Sequence, residues 1–111
     1  MSLSPGAAMR IISKKAIVEF CRVNRRKDAP AAKTAMLAWH AEAKAAKWLK
    51  SADIKARYGS ADILTADRAV FDICGNNYRI VARIKYGPKG IVWIRFVGTH
   101  AQYDKINARE V

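Results

Sequence analysis

The stretch FDICGNNYRIVARIKY (residues 71–86) decides how this chain folds. From Tyr78 onward it alternates: Tyr78, Ile80, Ala82, Ile84 and Tyr86 fall on one side of a pleated strand. Arg79, Arg83 and Lys85 fall on the other, with Val81 among them. A preceding strand over Arg68 to Cys74 turns Ala69, Phe71 and Ile73 to the core, and a following one runs from Ile91 to Val97. GNN and GPKG, both turn compositions, separate the three.

Directly opposed residues in an antiparallel pair point the same way, so matching core faces restricts the register. A two-residue Gly75-Asn76 turn places Phe71 opposite Ile80, Asp72 opposite Arg79 and Arg68 opposite Arg83. In the second hairpin Val92, Ile94 and Phe96 form the inward set. Pairing Arg83 with Trp93 and Val81 with Arg95 is preferred, because the next register opposes Arg83 to Arg95 and like charges repel. In either register the outer face gathers Arg79, Arg83, Lys85, Trp93 and Arg95. Such a face is either an anion-binding platform or the wetted side of a sheet.

Upstream, MRIIS (9–13) forms a short strand, and Ser13 caps a helix across KKAIVEFCRVN. NRRKDAP breaks it; Asp28 is the N-cap of a long helix from Ala29 to Lys50, with Pro30 in its first turn. Met36, Trp39, His40 and Ala43 share one stripe of that helix, and Leu37, Ala41, Ala45 and Trp48 the neighbouring one. His40 reads as a core or interface histidine, and Lys44 and Lys47 as a solvated helical face. SADIKARYGSADI is a connector with one helical turn, and a short helix closes the chain from Thr99. The fold class is α+β: two N-terminal helices on an antiparallel sheet, a three-strand meander plus the short N-terminal strand.

Hydrophobic residues make up 51% of the 111, enough for one domain with one core. MSLSPGAA (1–8) reads as an expression leader ahead of a single domain over 9–111. No apolar run approaches the ~20 residues of a membrane span, and no secretion signal is present. The expected setting is the cytoplasm, with Cys21 and Cys74 as free thiols. Two Cys and two His at these separations match no zinc spacing, and no P-loop or dinucleotide signature occurs, so neither metal nor cofactor is expected. Lys and Arg number 21 against 9 acidic residues, a net charge of +12, which points to a polyanion such as nucleic acid. These cations are spread along the chain, so folding must assemble any binding surface.

The run from Phe71-Asp72-Ile73 through the Gly-Asn turn, Tyr78-Arg79 and the third strand to Thr99-His100 and Tyr103-Asp104 resembles the HigB-type toxins of toxin–antitoxin modules, within the RelE-like superfamily. The resemblance covers Met9 to about Asn107, and THxxYD after a strand is its sharpest part. It implies a RelE-like, microbial ribonuclease-like fold and a metal-independent endoribonuclease that cleaves mRNA in the ribosomal A site. It also implies a cognate helix-turn-helix antitoxin of the HigA type as partner.

Metal-free RNA cleavage needs a base for the ribose 2′-OH, an acid for the leaving 5′ oxygen and cations for the crowded phosphorane. Histidine is the side chain that ordinarily titrates near neutrality, which makes His100 the base or acid. Tyr103 and Asp104, three and four residues on, share its helical face, with Tyr103 as partner or stacking surface. Arg83 and Arg95 are assigned to the scissile phosphate, Arg79 and Lys85 to the RNA backbone, and Trp93 to a stacked base. The alternative is a non-catalytic basic RNA- or DNA-binding module using the same face.

Overall fold

Ser13 adopts an extended backbone and its hydroxyl accepts the N–H of Lys15, which starts the first helix as expected. The computed structural model describes residues 8–111; the leader expected over 1–8 lies, Ala8 apart, outside the described residues. In chain order the elements are β1 (Arg10–Ile12), α1 (Lys14–Val23), α2 (Ala29–Ala45), α3 (Ser51–Arg57), β2 (Asp62–Thr65), β3 (Arg68–Ile73), β4 (Tyr78–Lys85), β5 (Ile91–Thr99) and α4 (His100–Tyr103). The fold is α+β, with one mixed sheet in the order β1-β5-β4-β3-β2, in which only β1–β5 is parallel. No described helix is long and apolar enough to cross a membrane.

The first hairpin has the expected register: Phe71 faces Ile80, Asp72 faces Arg79 and Arg68 faces Arg83. Its turn differs. Positive φ falls on Cys74 and Gly75, not on Gly75 and Asn76, so Cys74 through Asn77 form the loop. In the second hairpin Arg83 faces Trp93 as expected, but a bulge follows at Arg95. Val81 therefore faces Phe96, not Arg95, and Ile80 faces Val97. An extra residue reverses the alternation beyond it, so Val97 joins the helix side and Phe96 moves to the opposite face.

The main core lies between the helices and one sheet face, where Phe71, Tyr78, Ile80 and Ile84 meet Ile17, Met36 and Trp39. Phe71 is its centre, with Trp39, Trp48 and Tyr58 ring centroids 5.1, 5.9 and 5.3 Å away. Burying one such ring contributes roughly 1.5–3 kcal/mol. Trp48 explains why α2 stops at Ala45 and not at Lys50. The Ala46 carbonyl accepts the N–H of Met9 and the Trp48 carbonyl that of Gly87, at 3.1 and 2.8 Å. The chain thus leaves the helix extended and lays the Trp48 indole on Phe71 at 17°. Ala41 and Ala45 of the expected second stripe are exposed, whereas Met36, Trp39 and Ala43 are buried. His40 is half-buried, and burial, then the charges of Lys14 and Lys44, push its pKa down.

The connector holds more than one helical turn. α3 is capped by the Asp53 carboxylate, which accepts the N–H groups of Leu49 and Lys50 at 2.8 and 3.2 Å. The additional strand β2 then pairs with β3. The other sheet face carries a smaller core in which Val70, Val81 and Phe96 are covered by Tyr103, Ile106, Ala108 and Val111. The C-terminal segment therefore lies across the face expected to be open. Cys21 and Cys74 are unpaired thiols.

Candidate functional site

β4 begins where β5 ends, with Tyr78 facing Thr99. The Thr99 hydroxyl accepts the N–H of Gln102 at 3.1 Å, and the Gln102 side-chain oxygen accepts the N–H of Thr99 at 2.9 Å. This reciprocal cap starts α4 at His100. The His100 N–H is taken by the Asn77 carbonyl at 2.9 Å, which ties the helix start to the hairpin loop. One turn on, Asp104 Oδ2 stands 3.1 Å from His100 Nδ1. A carboxylate at that distance helps to orient the ring. The side chain is 44% exposed, so the imidazole is both anchored and reachable.

Arg79 is beside this site but committed to the fold. It is 8% exposed, with Nε 3.1 Å from Asp72, Nη1 donating to the carbonyls of Asn76 and Tyr78, and Nη2 donating to Asn76 Oδ1 at 2.6 Å. Its guanidinium lies 5.7 Å from the Tyr103 ring centre, and Phe96 packs on that ring at 6.4 Å. Tyr103 thus anchors α4 to the sheet. Burial, then the charge of Asp62, push its pKa up.

The remaining cations gather at the far end of the same face. Arg83 lies five residues along β4 from Tyr78, about 16 Å at strand spacing. It stacks over Trp93 at 5.5 Å and pairs with Asp67 at 3.0 Å, while Thr65, then Arg83, hold the Asp67 carboxyl below the usual range. Arg95, on the bulge, donates from Nε to the Val111 carbonyl at 3.1 Å, and Arg68 donates to the same oxygen. Lys85 is exposed opposite Ile91. The site thus has two ends. His100, Tyr103 and Arg79 are together at one; Arg83, Lys85 and Trp93 are together at the other, with Arg95 and the C-terminal segment between them.

Sequence reasoning missed a third group. The Asp28 carboxylate makes no cap bond to α2. Instead it accepts the Tyr78 hydroxyl at 2.5 Å and the Asn77 side-chain amide at 3.2 Å. Asn24 donates to the same Tyr78 oxygen at 3.0 Å. These bonds hold the α1–α2 loop against the β4 end of the sheet. The bond to Tyr78, then the charge of Arg26 and the bond to Asn77, lower the Asp28 pKa against the effect of burial. Nothing local in the sequence marks this latch, because its partners lie about fifty residues apart. Among the described residues no three His, Cys, Asp or Glu side chains form a group fit for a metal ion.

A family model described as HigB_toxin, RelE-like toxic component of a toxin-antitoxin system, matches residues 32–106. That range takes in both hairpins and α4 and leaves out β1, α1 and the α1–α2 loop. No curated protein matches the chain.

Proposed function

The chain belongs to the HigB toxin family, RelE-like toxic components of toxin–antitoxin systems, and from that premise we propose that it is a metal-independent endoribonuclease cleaving mRNA at the ribosomal A site. The observation that carries the reading is the anchored His100, with Nδ1 on Asp104 and half its side chain in solvent. In the proposed reaction Nε2 takes the proton of a ribose 2′-OH. The 2′ oxygen attacks the adjacent phosphorus, the bond to the 5′ oxygen breaks, and a 2′,3′-cyclic phosphate and a 5′-OH result. Tyr103, three residues after His100 on the same helical face, is the proposed donor to the leaving oxygen.

The spacing of the sheet favours a divided role for the arginines. Arg83 and Lys85 take flanking phosphates and Trp93 stacks a base at the end of the face away from His100. Arg95, between the two ends, takes a phosphate nearer the cleavage point. Arg79 serves by holding Tyr103 and the hairpin loop. The antitoxin partner that family membership implies is proposed to be of the helix-turn-helix, HigA type.

Mapping mRNA 5′ ends after brief induction tests the activity, and comparing translated with untranslated transcripts tests the ribosome dependence. His100→Ala is expected to keep its circular dichroism spectrum and lose cleavage by about a hundredfold or more. The face shared by Arg83, Lys85 and Trp93 also favours a second reading, a basic RNA- or DNA-binding module. Strong binding by wild type with no new 5′ ends would decide for that one.

A further inference from the structure

The α1–α2 loop carries Arg25, Arg26 and Lys27, all exposed, and it is fastened to the same corner of the sheet as His100. Asn77 is the shared piece. Its carbonyl accepts the N–H of His100, and its side-chain amide donates to Asp28, which closes the loop. Asn24 organises the loop from within: its Oδ1 accepts the N–H of Arg26 at 3.3 Å while its amide reaches Tyr78. The Arg26 guanidinium then lies over the Tyr78 ring at 5.6 Å. Two turns that are far apart in sequence, 24–28 and 74–77, are thereby locked to the cap of α4.

Charge in the loop is left over after these bonds. Asp28 is its one acid, and that carboxylate is already engaged by Tyr78 and Asn77, with Arg26 Nε at 3.6 Å. Arg25 makes a bond only to the Arg22 carbonyl at the end of α1, and no acidic partner is found for Arg25 or Lys27 among the described residues. By contrast, Arg79 is buried and saturated, and Arg83 and Arg95 stand at or toward the other end of the face. The loop therefore offers free cations at the corner that holds His100, in addition to the exposed Lys105 just after α4.

We propose that Arg25, Arg26 and Lys27 form the RNA backbone-binding edge of the His100 site, held in place by the Asp28–Tyr78–Asn77 latch. This rests on the ribonuclease reading and adds a binding element outside the span that the family model matches. Single-stranded RNA enters over the loop, its phosphates meeting Arg25 and Lys27, and reaches His100 across Asn77.

The test is equilibrium binding of a 2′-O-methyl oligonucleotide, which presents the phosphates but lacks the attacking hydroxyl, at a series of salt concentrations. Arg25→Ala/Lys27→Ala leaves the latch intact. It is expected to weaken binding about tenfold near physiological salt and to lower the log–log salt slope by about 1.4, at about 0.7 per phosphate. Lys44→Ala/Lys47→Ala, on the solvated side of α2 and the segment after it, is the control and should leave both unchanged. An undiminished slope in the loop variant, with wild type binding normally, overturns the inference alone. Wild type that binds no oligonucleotide at all also overturns the inference, whereas the ribonuclease reading stands or falls separately on the mapped mRNA 5′ ends.

Discussion

Asp28 shows how one side chain can occupy a cap position and serve a different purpose. It precedes α2 as a good N-cap should, yet its carboxylate turns to Tyr78, fifty residues away. The bond from Tyr78, more than any other cause, holds its pKa below the ordinary 3.8. A carboxylate depressed in the folded state contributes stability that is complete above its unfolded value and is lost as pH falls through the folded one. Asp28→Asn is therefore expected to be less stable than wild type at neutral pH and to converge with it as pH falls through the depressed folded-state pKa, below 3.8, measured by urea unfolding across pH. Gly98 is the converse case, set by space: a Cβ there would lie 2.5 Å from the Phe96 ring and 2.8 Å from the Gln102 oxygen that caps α4. No larger residue fits beside Thr99 without disturbing the start of the helix that carries His100.

Among the elements, β5 determines which residues reach which face. Its bulge adds Arg95 between Ile94 and Phe96, so the halves of the strand present opposite parities to β4. Deleting Arg95 restores simple alternation and keeps Ile94 on Ala82 and Phe96 on Val81. The variant is expected to fold, losing the bond to Val111 and at most about 10 °C in melting temperature. Deleting Val81 from the facing strand instead drives Ile80 outward and Arg79 into the main core, and no cooperative unfolding transition is expected. Thermal melts followed by circular dichroism distinguish the two. The same logic governs α2, whose intrinsic propensity carries through Lys50 but yields at Ala45 to the placement of Trp48 on Phe71.

For the whole molecule, the sheet is covered on both sides. Helices bury one face, and on the other the C-terminal segment lies over Val70, Val81 and Phe96, with Arg68 and Arg95 both donating to the Val111 carbonyl. Removing residues 105–111 should uncover those side chains and cost about 2–4 kcal/mol at ordinary burial values, read as a lower urea midpoint and new dye binding to exposed apolar surface. The exposed cations around Arg83 and those on the α1–α2 loop stand at separate places, within a net charge of +12 whose field favours a polyanion.

Period-two alternation and turn composition were sufficient, from the sequence alone, for the three meander strands, the first hairpin's register and the position of α4, because those signals are local. The Thr99-His100 and Tyr103-Asp104 pairs were legible for the same reason, since residues one helical turn apart meet wherever a helix forms. The tertiary structure alone decided the bulge, the early end of α2, the added strand β2 and the covering of the outer face. Each of these depends on which distant group occupies a given space: Trp48 on Phe71, Ile106 on the sheet, Asp28 on Tyr78. Such choices follow from packing and hydrogen-bond satisfaction across the chain, which no window of neighbouring residues contains.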